Sequence, residues 1–141
     1  MSSVMELTLT ELDRPTRDLY ELAREAAACA YAPYSKFQVG AAIRTAKGTL
    51  FRGCNVENAS YGLTCCAERS AIFAAVAAEG SEMRILEVAV YVSTAMASPC
   101  GACRQVIAEF GSDVRVLFSD GDRIIDTSIT ELLPSHFVPP A

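Results

Sequence analysis

Two short segments constrain this chain more than any other feature: Cys66-Ala67-Glu68 and Pro99-Cys100-Gly101-Ala102-Cys103. A Cys-x-x-Cys pair is half of a zinc site, and Cys66 offers a third sulfur. The single histidine, His136, lies near the C-terminus, and no fourth protein ligand is evident. A structural zinc takes four protein ligands, whereas three ligands and an open position form the catalytic pattern, with water in the fourth place. Glu68 follows Cys66 by two residues, near enough to reach that water without binding the metal. Only Cys66 gives the ligand-x-Glu spacing, so the adjacent Cys65 is expected to stay off the metal. Cys29, Cys54 and Cys65 read more simply as small buried hydrophobes.

Three thiolates around Zn²⁺ carry a net negative charge, which blunts the metal's acidity. Arg69, directly after Glu68, is the candidate to offset it by donating hydrogen bonds to the sulfurs. Helix N-termini would also help, because their free N–H groups and dipoles stabilise thiolates.

The elements around these segments are legible from hydrophobic spacing. Residues 15–30 read as a helix, with Leu19, Leu22, Ala23, Ala26 and Ala30 on one face and Pro15 in the first turn. Pro33 ends it. Gln38 to Thr45 reads as a strand, Lys47-Gly48 as a turn, and Thr49 to Asn55 as the hairpin partner. A polar loop follows, Asn55-Val56-Glu57-Asn58-Ala59-Ser60-Tyr61-Gly62, suited to gripping a substrate. The second helix is expected from Cys66 to Glu79, slim enough to be buried through Ala67, Ala71, Ala74, Ala75 and Ala78. Ile85 to Ser93 reads as a central strand, Gly101 to Phe110 as the third helix, and Val114 to Phe118 and Arg123 to Asp126 as two further strands. The short turn at residues 119–122 makes the last two strands antiparallel. Ile129 to Leu133 reads as one helical turn. The expected fold is therefore α/β, a three-layer α/β/α sandwich with a mixed five-stranded sheet. Both cysteine segments fall at helix N-termini facing the same end.

A chain of 141 residues suits a single domain over residues 1–141, with about 1–14 and 138–141 loosely ordered. The net charge of −5 and the absence of a basic stripe argue against a nucleic acid polymer as partner. No apolar run approaches the roughly 18 residues of a membrane span, so no membrane is expected. The N-terminus lacks the basic and apolar regions of a signal peptide, and the six cysteines then read as thiols or metal ligands. A cytoplasmic location is the expectation.

The segments Asn55 to Thr64, Cys66-Ala67-Glu68-Arg69 and Pro99-Cys100-Gly101-Ala102-Cys103-Arg104-Gln105 resemble the small homotetrameric, zinc-dependent cytidine deaminases. The resemblance runs from about Tyr31 to Phe137. It implies hydrolytic deamination of cytidine and deoxycytidine to uridine and deoxyuridine with release of ammonia, in pyrimidine salvage. It implies one Zn²⁺ per subunit on Cys66, Cys100 and Cys103, with Glu68 as catalytic proton shuttle and Arg69 beside the sulfurs. It implies that Asn55 and Glu57 hold ribose hydroxyls, that Phe37 and Ala67 line the base pocket, and that Tyr61 and Phe137 reach a neighbouring subunit's site. Cys65 departs from the family, which more often has an aliphatic residue there.

Rival readings remain at the level of the residues. Cys100 and Cys103 opening a helix could be a thioredoxin-like redox pair, but that leaves Cys66 and Glu68 without a role. A zinc-bearing nucleoside-binding module without activity leaves Glu68 as a costly buried carboxylate. Deamination of a nucleoside antibiotic or a free base is the nearest alternative, and the Asn55/Glu57 pair favours a substrate that bears ribose. Asn55 and Glu57 also fit as turn and cap residues, Arg69 as a surface helix charge, and Phe37 as a core aromatic. Arg104 and Gln105 read as helix-surface or structural residues.

Overall fold

The structure is a computed structural model and describes residues 4–140. Its centre is one mixed sheet of six strands in the order β1-β6-β5-β4-β2-β3. The strands are β1 (Met5–Leu7), β2 (Val39–Thr45), β3 (Leu50–Cys54), β4 (Ile85–Val92), β5 (Arg115–Ser119) and β6 (Ile124–Ser128). The helices are α1 (Arg14–Ala27), α2 (Ala67–Glu79), α3 (Gly101–Glu109) and the single turn α4 (Ile129–Leu132). β4 and β5 run parallel, joined through α3, as a parallel pair requires. The other pairings, β1–β6, β5–β6, β4–β2 and β2–β3, are antiparallel.

Strand alternation sends neighbouring residues to opposite faces and separates two cores. Ile43, Val88, Val90 and Val116 meet Ala71, Ile72 and Ala75 of α2 and Ile107 of α3. Ala42, Ala89 and Leu117 meet Leu19, Tyr20 and Ala23 of α1 on the opposite face. The layers are thus α1, sheet, and α2 with α3, in agreement with the expected sandwich.

Two differences from the sequence reading have physical causes. The sheet has six strands rather than five. Met5–Leu7, expected to be loose, pairs with Ile124–Asp126 and forms an edge. Three residues with an exposed pattern carry too little alternation to declare a strand. Nearby, Asp13 caps α1 by accepting the Thr16 N–H at 3.1 Å. The second difference is in α2: Ala67, Ala71 and Ala75 are buried, but Ala74 and Ala78 face outward beside Phe73. One apolar face of that helix therefore has no partner among the described residues.

Two glycines set how closely the helices approach the sheet. A Cβ on Gly40 would lie 1.9 Å from the Ala23 carbonyl of α1. A Cβ on Gly53 would lie 2.4 Å from the Ala71 nitrogen and 2.6 Å from the Ala67 carbonyl of α2. Only a residue without a side chain lets backbone come this near.

Candidate active site and metal centre

The two cysteine segments converge because α2 and α3 lie on the same face and begin at the same end of the sheet. Cys66 is the N-cap of α2 and Cys100 the N-cap of α3. The sulfurs of Cys66, Cys100 and Cys103 all lie within 4.8 Å of one another, with Cys66 and Cys100 at 3.9 Å. Cys103 is fully buried, and its backbone N–H donates to the Cys100 sulfur at 3.4 Å. Arg69, on the first turn of α2, donates from Nη2 to the Cys66 sulfur at 3.2 Å. Its Nε is buried without a hydrogen-bond partner among the described residues, and the Nη2 bond aims the guanidinium at the cluster.

Contact with Cys103 draws the Cys66 thiol below its ordinary value, and Arg69 adds to this against the effect of burial. The same contact, with burial, pushes Cys103 up. A set of three sulfurs, one facing cation and two helix N-termini fits Zn²⁺: soft, anionic donors in number three, with their excess negative charge compensated. Cys65 lies outside the cluster. Its backbone pairs with Val56, and its sulfur points toward the Cys66 carbonyl at 3.6 Å.

Glu68 lies in the first turn of α2 and is only 4% exposed. Burial is the foremost cause that raises its carboxyl above the ordinary range. It lines a cavity of about 240 Å³ together with Cys66, Cys100, Ala67, Phe37, Asn55 and Glu57. Asn55 is held at both ends of its amide: Oδ1 accepts the Val39 N–H at 2.8 Å, and Nδ2 donates to the Phe37 carbonyl at 2.7 Å. Glu57 accepts from the Tyr34 and Ser35 N–H groups at 2.9 and 3.1 Å and from the Ser35 hydroxyl. These bonds, that of the Ser35 hydroxyl first, hold its carboxyl below the ordinary range.

The remaining two expected site residues are not brought into this cavity by the chain itself. Tyr61 is 75% exposed and stacks edge-on against Tyr34 with ring centroids 6.0 Å apart. Phe137 is 72% exposed and lies beside Gln105 and Glu109 of α3. Arg104 does more than occupy a helix surface. Its guanidinium donates to the Pro99 carbonyl at 2.7 Å, the Leu132 carbonyl at 2.8 Å and the Ser98 hydroxyl at 3.0 Å, tying the α3 entry to the C-terminal segment. Its position one turn after Cys100 was the available signal. Val39 and Val90, which fall within the expected strands and were not singled out by sequence, also line the cavity.

Residues 14–119 match the family described as the cytidine and deoxycytidylate deaminase zinc-binding region. The chain belongs to that family. Among deaminases of known identity, a cytidine deaminase of Sporosarcina psychrophila is 48% identical over 110 residues, covering 77% of this chain and 80% of its own length. One from Halalkalibacterium halodurans is 49% identical over 112 residues, covering 77% of this chain and 83% of its own. The crystal structure of cytidine deaminase from Burkholderia pseudomallei superposes with a TM-score of 0.77 at 48% identity, covering 85% of this chain and 97% of that one. The fold is that of these deaminases, the matched family region is zinc-binding, and the three clustered sulfurs are a set that could hold such an ion.

Proposed function

We propose that this protein is a cytidine deaminase that hydrolyses cytidine and deoxycytidine to uridine and deoxyuridine, releasing ammonia. The observation that carries the reading is the buried Glu68 beside three clustered sulfurs, on the wall of a cavity that Asn55 and Glu57 also line. Cys66, Cys100 and Cys103 would hold one Zn²⁺ per subunit. Zinc held there would supply Lewis acidity, lowering the pKa of water toward about 7 and making a nucleophile accessible at neutral pH.

Glu68 handles the protons. It accepts one proton from the attacking water and delivers it to the ring nitrogen, then accepts the second from the hydroxyl now on the ring carbon and donates it to the departing amine, which leaves as ammonia while oxygen takes its place on the ring. Its raised proton affinity suits a group that must carry a proton between these steps. Phe37 and Ala67 provide apolar surface for the base. Asn55 and Glu57 bind the sugar hydroxyls, and Arg69 offsets the charge of the thiolates.

The chain acts as a single domain and assembles into a homotetramer with shared sites, in the cytoplasm, serving pyrimidine salvage. Supporting the assembly are the large apolar side chains left outside: Tyr61, Leu63, Phe73 and Phe137 are each more than half exposed. Tyr61 and Phe137 would enter a neighbour's cavity. Among the described residues no helix is long and apolar enough to cross a membrane.

Metal analysis of the purified protein, combined with the ultraviolet change and ammonia release on adding cytidine, tests this. About one zinc per chain and stoichiometric uridine and ammonia are expected. Zinc-free protein that leaves cytidine intact would overturn the proposal.

A further inference from the structure

The loop at residues 34–37 is held onto the cavity by one small side chain that the catalytic proposal does not use. The Ser35 hydroxyl oxygen accepts the Phe37 N–H at 3.0 Å. With that position filled, its hydrogen is directed to Glu57 Oε2. Glu57 Oε1 accepts two backbone N–H groups, from Tyr34 at 2.9 Å and Ser35 at 3.1 Å. An ionised carboxylate offers about four acceptor positions. Three are filled from the loop, and the one left on Oε2 belongs to a group that lines the cavity.

From this geometry we infer that Ser35 is a positioning residue for substrate recognition: it fixes the Glu57 carboxylate so that its one open acceptor position selects a hydroxyl donor on the sugar. The inference rests on the deaminase reading given above. An open acceptor position on an anion takes a hydroxyl and rejects a phosphate, so the same arrangement favours a nucleoside that is unphosphorylated at that point.

Two further observations tie Ser35 to binding and separate it from the chemistry. The residue between Ser35 and Phe37, Lys36, has φ of 62°, a left-handed conformation disfavoured for a side-chain-bearing residue. Such a conformation persists only where neighbours hold it, and here the holders are the Lys36 N–H to Ala32 carbonyl bond at 3.0 Å, the Ser35 hydroxyl and Asn55. Ser35 thus sets the Phe37 backbone and the Glu57 carboxylate together. The sulfurs and Glu68, by contrast, are placed by α2 and α3, which Ser35 does not touch.

Steady-state kinetics of Ser35→Ala on cytidine and on 2′,3′-dideoxycytidine test the assignment, since the second substrate lacks both ring hydroxyls in question. The KM for cytidine should rise roughly 3- to 30-fold, the range expected for one lost hydrogen bond to a charged group in a partly wet site, with kcat little changed. The kcat/KM for dideoxycytidine should fall clearly less, because only the Phe37 contact with the base is disturbed there. Ser35→Thr, which keeps the hydroxyl, should recover most of the loss, and Ser35→Ala should add little in a Glu57→Gln background. Equal losses on both substrates, or none on either, would overturn the inference and leave the deaminase reading standing. A parent enzyme inactive on cytidine and on deoxycytidine would overturn that reading itself.

Discussion

Gly53→Ala tests whether the zinc segment is placed by the close seating of α2 on β3. The added Cβ would sit 2.4 Å from the Ala71 nitrogen and 2.6 Å from the Ala67 carbonyl, both backbone atoms of α2. An ordinary contact needs about 3.4 Å, so helix and strand must part by about 1 Å, because backbone inside a helix cannot rotate away. Overpacking of this kind costs about 1–3 kcal/mol. For a chain of this size that corresponds to a fall in Tm of roughly 3–12 °C. The same displacement moves Cys66 and Glu68, which ride on the first turn of α2, relative to Cys100 on α3. A misplacement of about 1 Å can lower the rate about 10²-fold. Calorimetry and cytidine turnover on the zinc-loaded variant measure both effects. If Gly53→Ala melts with the parent and turns over at the parent rate, the close approach does not position the site and the reasoning fails.

Three other changes probe separate parts of the account. Cys65→Ala should keep about one zinc per chain and most of the activity, while Cys66→Ala should lose both, since metal binding is also folding energy; metal analysis of the two variants decides, and the reverse pattern would reassign the ligand. Deleting residues 135–141 removes Phe137 and should raise KM strongly, an aromatic ring stacked on a base being worth on the order of 1–3 kcal/mol; sedimentation showing a fully active monomer would contradict shared sites. At the far end of β4 from the cavity, Glu87 accepts from Arg44 at 2.9 Å and from Arg115 at 3.1 Å, and is only 16% exposed. Glu87→Ala leaves both cations without that partner and should destabilise the fold by about 1–3 kcal/mol in chemical denaturation while kcat stays at the parent value.

The parts of this protein that sequence made legible are those where chemistry or periodicity acts locally. The spacing of Glu68 from Cys66 singled out one of two adjacent cysteines, and extended backbone turns the other away. Ile85 to Ser93 and Val114 to Phe118 read as strands and are observed as Ile85–Val92 and Arg115–Ser119, their apolar side chains packing on both faces of the sheet. What escaped depends on partners far along the chain. Met5–Leu7 is a strand only because β6 lies beside it, and Arg104 is a clamp only because the Leu132 carbonyl returns to it. Ser35 carries no signal by itself; its role arises from Glu57, twenty-two residues later. Tyr61 and Phe137 remain outside the cavity of their own chain, and no pattern within one chain states where a second copy would receive them.

The central claim is that Glu68 moves the protons of the reaction, and Glu68→Gln tests it most directly. Glutamine keeps the shape of a side chain that is only 4% exposed but cannot shuttle a proton. The kcat for cytidine should fall by about 10²–10⁴-fold, the usual contribution of a positioned acid–base group. Zinc content and cytidine binding should be retained, because the three cysteines, Asn55 and Glu57 are unchanged. A Gln variant that deaminates cytidine at close to the parent rate would contradict the account.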